Sequence, residues 1–401
     1  MYRIGGFVLY VLFLGAGGVM AQGNPAPADS AHADPAKADS GKVDSSKPDS
    51  APAKPLNISG FVTATYTYGI HHTGQILVGR FYDRFHDQIE LNAAKLVVEK
   101  PVATDKFDAG ARVDLLFGQD AAVTQSLGFN LGTNGDVTQA FATLNAPTGP
   151  GKYVQFKAGK MATLMGVEVI EDVVNPNLSV GNLFVYLENF TSTGFRLDAK
   201  PSAAIDIELA LINGWDVVRD NNTKKSFMGR IGITPSPATT IGLLGYIGNE
   251  KPFDSTAGVT PPGDRYGGEV VITQKAGTKT TVYLQGDYGE EKDLPTVGTK
   301  AKWWGASLWL AFDVSPALNV ALRGDYVDDE NGVRTSGLFG FPVNTGQKFG
   351  SGTITFNIKR WEHMLIRPEF RYDRSNLAVY DNPATPKKDM FTFGLGASYL
   401  F

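Results

Sequence analysis

The residues best suited to chemistry in this chain are histidines and acids that lie close together in sequence. Only five histidines occur, and His71, His72 and His86 share one short stretch with Asp83 and Asp87. Imidazole and carboxylate groups can together bind a metal ion or activate water for hydrolysis. Neighbouring histidines in a polar stretch are more often simply solvated. The stretch therefore predicts no catalytic residue and no metal site.

Composition and motifs exclude several other classes of function. The chain has no cysteine, so it has no disulfide, thiolate metal site or cysteine nucleophile. It contains no GxSxG, Walker or HExxH motif. The net charge is −4, and lysines and arginines do not cluster with aromatic residues as nucleic-acid binding requires. We expect neither a cofactor nor a nucleic-acid partner.

A larger set of charged residues alternates with apolar residues along the chain. Arg367 and Glu369, for example, alternate with Ile366 and Phe370. A period of two indicates β-strands with one polar and one apolar face. Ionised groups are too costly for a dry core, whereas a water-filled lumen solvates them. The predicted lumen-facing residues are Arg112, Lys157, Arg196, Arg230, Arg323, Arg367 and Arg371, with Glu208, Glu269, Asp325 and Glu369.

The predicted lumen charges admit two interpretations. As a transverse electric field, they would orient polar solutes and set an ion preference. As ion pairs between neighbouring strands, they would only stiffen the wall. Both interpretations require a lumen that contains water.

From residue 57 onward, short turn sequences alternate with longer polar connections. The short turns are Pro101–Lys106, Thr148–Lys152, Lys200–Ala204, Pro235–Ala238, Lys275–Lys279, Val314–Leu318 and Arg360–Met364. The longer connections centre near residues 78, 127, 179, 220, 256, 295, 337 and 382. Seven turns and eight loops join sixteen strands. The pattern predicts an all-β fold over residues 57–401, a transmembrane antiparallel β-barrel of about 16 strands with short periplasmic turns and long external loops.

The last strand, Met390–Phe401, has an apolar face and a face of small and polar residues. We expect it to pair with Asn57–Tyr68, because closure leaves no exposed strand edge. Its final residues, Tyr399 and Phe401, resemble the assembly signal that the barrel-assembly machinery reads in outer-membrane barrels. Alternation in the second strand requires a bulge, which we place at Ala93-Ala94 and which turns Lys95 inward.

The N-terminal sequence predicts an export signal followed by a spacer. Arg3 precedes an apolar run that ends near Ala21, so residues 1–21 are predicted to be a cleaved signal peptide. Residues 22–56 are mostly Pro, Ala, Asp, Ser and Lys, and we expect a disordered periplasmic spacer. A sharper hypothesis gives this spacer a contact with peptidoglycan.

The third long connection, Val167–Thr193, is the most apolar of the loops. Such a loop should pack against protein rather than extend into water. Folding back into the barrel mouth would narrow a pore, whereas packing onto neighbouring loops or a second subunit would not. The residues expected to form the constriction are Pro176, Leu178, Leu183, Phe184, Tyr186 and Phe190.

Three segments of the chain resemble outer-membrane porins of the OmpL-like β-barrel porin-2 type. They are Leu91–Pro101, then Phe156–Lys160 with Gly166–Glu171, and then Asn175–Ser179 through Phe190–Gly194. The overall similarity runs from about Ile58 to Phe401. The resemblance implies passive diffusion of small hydrophilic solutes through a barrel that can form homotrimers.

The resulting expectation is a bacterial outer-membrane porin, surrounded by outer-membrane lipid, that selects solutes by pore width and lumen charge. One alternative is a barrel enzyme, such as a rim hydrolase, protease or phospholipase. Another is a surface adhesion or anchoring barrel that uses its loops and spacer. The scarcity of histidines argues against the enzyme.

Overall fold

Alternating residues, apolar outward and polar inward, produce a closed ring of strands. The computed structural model describes residues 55–401 apart from 223 and 251–262, so the predicted signal peptide, nearly all of the spacer and the loop near residue 256 lie outside the described residues. Sixteen antiparallel strands form one closed barrel, in which each strand pairs with its neighbours in sequence. The predicted fold and strand number are confirmed.

The strands have the following bounds: β1 (Asn57–Ile70), β2 (Gln88–Lys100), β3 (Asp108–Phe117), β4 (Gly135–Gly149), β5 (Lys152–Ala162), β6 (Thr191–Ser202), β7 (Ile205–Ile212), β8 (Ser226–Ser236), β9 (Thr239–Glu250), β10 (Gly263–Ala276), β11 (Thr280–Lys292), β12 (Lys300–Ser315), β13 (Leu318–Asp329), β14 (Gln347–Trp361), β15 (Met364–Ser375) and β16 (Asp389–Leu400). All seven predicted short turns fall at strand junctions. Turn residues such as Gly151, with a φ of 67°, permit these tight connections.

Pairing between β16 and β1 closes the barrel, as predicted. The register runs from Phe61 opposite Leu400 to Ile70 opposite Phe391. Beyond the strand, the N–H of Phe401 donates to the carbonyl oxygen of Gly60 at 3.0 Å, and the N–H of Gly60 donates back at 3.0 Å. The terminal residue is therefore part of the seam.

The bulge in β2 lies one position earlier than predicted. Thr63 pairs with Ala93 and Ala64 pairs with Leu91, so Asn92 is the extra residue. Asn92 and Ala93 are both buried, because a bulge places two successive residues on one side of the strand. Lys95 faces inward and is buried, as the predicted bulge required.

In the part of the chain that the structure describes, regular helix occurs only in the loops. Two α-helices lie there, α1 (Ala121–Thr124) and α2 (Asn182–Tyr186), and two single 3₁₀ turns span Asp172–Val174 and Leu338–Gly340. Within the described residues, no helix has both the length and the apolar character needed to cross a membrane. The main buried apolar cluster joins α2 to residues of the first and seventh loops.

Candidate functional site inside the barrel

The connection between β5 and β6, residues 163–190, is named the inner loop here because it lies against the inner wall of the barrel. Five of the six residues expected to form a constriction are buried, and Pro176 is half-buried. The buried members are Leu178, Leu183, Phe184, Tyr186 and Phe190. Polar groups of β13, β14 and β15 hold the middle of the inner loop.

Arg367 on β15 holds the first part of the inner loop. Its guanidinium donates to the carbonyl oxygens of Asp172, at 2.6 Å, and Asn175, at 2.8 Å. Asn357 accepts from Nε of Arg367 at 2.9 Å and donates to the carbonyl oxygen of Pro176 at 3.0 Å. Charge-assisted hydrogen bonds to these backbone carbonyls fix a segment whose only regular structure is one 3₁₀ turn.

Glu369, two residues further along β15, holds the next segment. Its carboxylate accepts from the N–H of Leu178 at 2.7 Å and from the N–H of Ser179 at 3.1 Å. The hydroxyl of Thr355 donates to the same carboxylate at 2.6 Å. A predicted lumen-facing charge therefore binds the loop rather than facing open water.

Arg323 on β13 forms a fully buried pair with Glu168 of the inner loop. The Arg323 Nη1 to Glu168 Oε1 distance is 2.7 Å, and both side chains are inaccessible to solvent. The other carboxylate oxygen, Oε2, accepts from the N–H of Gly181 at 2.6 Å. Glu168 thus connects the inner loop near residue 168 with Gly181, and its pair with Arg323 holds both to the barrel wall.

Arg371 and Asp325 hold the start of α2. Arg371 donates to the carbonyl oxygen of Val180 at 2.7 Å and pairs with Asp373 at 2.8 Å. Asp325 accepts from the side-chain amide of Asn182 at 2.6 Å. Five charged wall residues therefore bind successive parts of the inner loop and fix its position.

Glycines on β16 make room for the inner loop. A Cβ on Gly396 would lie 2.5 Å from Cδ1 of Leu178, closer than any real carbon contact. Gly394 lies beside the same leucine, where a Cβ would be 3.5 Å from Cδ2. Leu178 therefore packs against the face of β16 that carries small residues.

Aromatic side chains join the inner loop to the external loops. The ring of Phe81 stacks on Phe190 with centroids 5.0 Å apart, and the ring of Tyr186 meets Phe349 edge-on at 5.3 Å. Phe341 of the seventh loop lies 5.7 Å from Tyr186. The inner loop therefore packs both against the wall and against neighbouring loops, which the sequence treated as alternatives.

The opposite wall, β5 to β8, carries a row of charges that we call the charge ladder: Lys157, Arg196, Asp198, Asp206, Glu208 and Arg230. Asp198 accepts from Lys157 at 2.6 Å and from Arg196 at 2.7 Å. Arg230 pairs with Glu208 at 2.8 Å and with Asp206 at 3.1 Å. On β3, which β4 separates from β5, Arg112 pairs with Asp114 at 2.7 Å.

Solvent exposure divides the predicted lumen residues into two groups. Arg323, Arg367 and Arg371 are at most 2% exposed, because the inner loop covers them. The side chains of Lys157 and Arg112 retain 16% and 29% exposure, and Glu208 retains 20%. Water therefore reaches the wall at β3, β5 and β7, whereas Arg230 on β8 is only 5% exposed.

Glu269 was predicted to line the lumen but lies beneath the inner loop. Its Oε2 accepts from the N–H of Gly166 at 2.7 Å. Glu188, at the other end of the loop, and Asp287 on β11 lie close enough to Glu269 for one oxygen of each to fall within 4.8 Å of the others. Sequence reasoning missed this grouping, because its members come from three separate segments.

The histidines of the first loop take separate partners. His86 Nδ1 accepts from the N–H of Gly69 at 2.9 Å, whereas His72 Nδ1 lies 3.4 Å from Asp381. Burial lowers the pKa of His72. Asp87 accepts from the hydroxyl of Tyr66, and Asp83 pairs with Arg80. The rings of His72 and His86 lie 5.1 Å apart, but in the described part of the chain no three of these residues are placed to hold one metal ion.

The family model described as "Putative beta-barrel porin-2, OmpL-like" matches residues 55–401, which confirms the resemblance found in the sequence. OmpT of Vibrio cholerae, folded in vitro in its trimer form, is 13% identical with a TM-score of 0.58 over 86% of this chain and 99% of that one. The outer membrane channel DcaP of Acinetobacter baumannii is 14% identical with a TM-score of 0.56, over 86% and 97% of the two chains.

An anion-selective porin from Comamonas acidovorans is 9% identical, with a TM-score of 0.58 over 86% of this chain and 99% of that one. No curated protein sequence matches the chain. At these identities, the structural similarity establishes a common barrel fold.

Proposed function

Because the chain belongs to the OmpL-like β-barrel porin-2 family and lies in the bacterial outer membrane, we propose that it is a passive channel for small hydrophilic solutes and ions. The observation that carries this proposal is the division of the inner wall. One side is covered by the inner loop, while Lys157, Glu208 and Arg112 on the other side keep contact with solvent. Solutes pass between the inner loop and this exposed wall.

Selection in this channel depends on width and charge, and the protein carries out no chemical conversion. The inner loop sets the width, because its residues occupy space that the barrel wall alone would leave open. The charge ladder sets the field along the remaining path. Its cations lie on β5, β6 and β8 and its anions on β6 and β7, so it presents both signs to a passing solute.

The test is single-channel recording of the full-length protein in a planar lipid bilayer. Stepwise conductance is expected from the intact chain. Deleting Pro176–Glu188 should raise the conductance, because this deletion removes α2 and the residues beside it. A silent bilayer with correctly folded protein would overturn the channel, and an unchanged conductance after the deletion would overturn the role of the loop.

The last strand also supplies a proposed assembly signal, Tyr399 and Phe401. Both side chains are exposed on the outer surface, and the backbone of Phe401 is already bound to Gly60. The side chain of Phe401 is thus available to the barrel-assembly machinery while its backbone helps to close the seam. Removing Phe401 should lower insertion in cells more than it alters the conductance of channels that do assemble; normal insertion would contradict the signal.

We further propose a homotrimer, supported by the trimer form of the similar OmpT structure. On the outer surface, Gly229, Gly245 and Gly268 are cross-strand neighbours on β8, β9 and β10, so this patch carries no side chains. A Cβ on Gly245 would meet nothing within 4 Å. Cross-linking in native membranes should give a trimer, and a monomer under those conditions would exclude it.

A further inference from the structure

Three buried carboxylates, Glu188, Glu269 and Asp287, meet where the two ends of the inner loop touch β10 and β11. One oxygen from each lies within 4.8 Å of the others. Glu269 and Asp287 are direct cross-strand partners, an arrangement in which like charges repel. Ion pairs elsewhere in the barrel offset such repulsion, but none of these three carboxylates has a lysine, arginine or histidine partner among the described residues.

One neutral amide lies among the three carboxylates. Gln285 Nε2 donates to Glu188 at 2.5 Å, to Asp287 at 2.9 Å and to Glu269 at 3.3 Å. Gln285 Oε1 accepts from the N–H of Val167 at 2.9 Å, and Nε2 binds only one oxygen of each acid, Oε1 in Glu188 and Oδ2 in Asp287. An amide has two hydrogens and no charge, so it cannot satisfy or neutralise three carboxylates.

Two carboxylate oxygens in this cluster have no hydrogen-bond partner. They are Oε2 of Glu188 and Oδ1 of Asp287, on side chains that are 1% and 5% exposed. A buried ionised oxygen without a partner is strongly destabilising. Burial and the nearby Asp287 carboxylate raise the pKa of Glu188. A bound proton or a bound cation would each relieve the repulsion among these carboxylates.

We propose that this cluster binds a calcium ion. Ca²⁺ takes carboxylate oxygens at about 2.3–2.6 Å, so two of its ligands lie at most about 5 Å apart. The spacing of the three carboxylates fits that limit. The donor set is entirely oxygen, without histidine or cysteine, which suits a hard cation rather than zinc or copper. Ca²⁺ also tolerates irregular geometry better than Mg²⁺ does.

The bound ion fastens the ends of the inner loop. Arg323, Arg367 and Glu369 hold its middle to β13 and β15. Glu188 and the Gly166-Val167 backbone lie at β10 and β11, where Glu269 and Gln285 face them. The ion therefore replaces, on this part of the wall, the cationic side chains that hold the loop elsewhere.

The test is isothermal titration of CaCl₂ into chelator-treated, full-length protein in detergent, with metal content measured in parallel. One calcium per chain is expected. Asp287→Asn and Glu269→Gln should each weaken calcium binding at least about tenfold, since each removes one charged ligand. Glu208→Gln is the matched control for calcium affinity: it removes a lumen carboxylate whose partner Arg230 still pairs with Asp206.

A second measurement uses only the wild-type chain, so it does not depend on the folding of a variant. Calcium should raise the denaturant midpoint of the wild type, and magnesium at equal concentration should raise it less. Absence of calcium binding by the folded wild type would overturn the proposal. Unchanged binding in both ligand variants would also overturn it, as would a wild type whose stability responds to acid but not to calcium.

Discussion

The carboxylate of Glu369 on β15 accepts the backbone N–H of Leu178 at a distance of 2.7 Å, inside the barrel and 191 residues away in sequence. The same carboxylate accepts from Ser179 and from the hydroxyl of Thr355. Two backbone donors in an irregular loop thus depend on one side chain of the wall. An inner-wall charge here determines where a loop lies.

Replacing Glu369 with alanine should loosen the inner loop. Leaving a buried donor without an acceptor costs about 1–3 kcal/mol, and two backbone donors are affected. We expect more frequent conductance fluctuations in single-channel records, with a smaller effect for Glu369→Gln, which keeps one acceptor oxygen. Glu290→Ala is the control, because Glu290 pairs with Lys300 and not with the inner loop. Equal noise in Glu369→Ala and Glu290→Ala would contradict this role.

The charge ladder predicts opposite changes in ion preference for two substitutions. Asp198→Asn leaves Lys157 and Arg196 without their shared partner and should favour anions. Arg230→Gln leaves Asp206 and Glu208 unpaired and should favour cations. One charge at 4 Å in water contributes about 1 kcal/mol, so the permeability ratio should change by up to about fivefold.

Reversal potentials in a KCl gradient measure both changes in ion preference. Asp264→Asn serves as the control, since Asp264 pairs with Lys292 at an exposed position of β10. The shifts should shrink at high salt, because mobile ions screen the exposed charges. Shifts of the same sign in both ladder variants would rule out this account of selectivity.

Asp216 in the fourth loop should make stability depend on pH. Its Oδ1 accepts from the N–H groups of Phe190 and Thr191, at 2.7 and 2.8 Å, at the end of the inner loop. Burial raises the pKa of Asp216 to about 7. The folded state then holds a proton that the unfolded state releases near pH 4, so this residue's contribution to stability falls as pH rises from about 4 to about 7.

Asp216→Asn should remove this pH dependence while keeping the acceptor oxygen. The stability of the variant minus that of the wild type should therefore be larger at pH 8 than at pH 5. Denaturant midpoints of both proteins at the two pH values measure this difference. Lys160 near Asp216 already pairs with Asp136, so the substitution leaves that ion pair intact. A difference between variant and wild type that is the same at both pH values would contradict the raised pKa.

Local pattern predicted the barrel, because strand alternation and turn chemistry are properties of neighbouring residues. The bulge in β2 was placed one residue late because Asn92, Ala93 and Ala94 are all compatible with an inward position. The contacts of the inner loop could not be predicted in this way. Arg367 reaches Asp172 across 195 positions, and nothing near either residue indicates the other.

The residue types of the site were nevertheless visible in the sequence. The alternation identified Arg323, Arg367 and Glu369 as inward-facing, but it could not distinguish water from a folded loop as their surroundings. The small residues of β16 carried a signal that was missed. The alternation places Gly394 and Gly396 on the face of small and polar residues, but it does not show that they provide space for Leu178.

The contact between Gly396 and Leu178 predicts a compensating pair of substitutions. Gly396→Ala places a carbon 2.5 Å from Leu178 and should destabilise the protein by about 1–3 kcal/mol, as overpacking does. Leu178→Ala removes a buried side chain and should cost about 2–5 kcal/mol. In the double variant the added methyl occupies part of the vacated space, so its cost should be below the sum of the two.

Denaturant midpoints of the four proteins in this double-mutant cycle give the coupling free energy, expected at about 0.5–3 kcal/mol. Gly352→Ala on β14 is the matched control, since a Cβ there would meet nothing within 4 Å. It should be neutral or slightly stabilising, because alanine restricts the unfolded chain more than glycine does. Strict additivity of the Gly396 and Leu178 substitutions would show that the inner loop does not rest on β16 in solution.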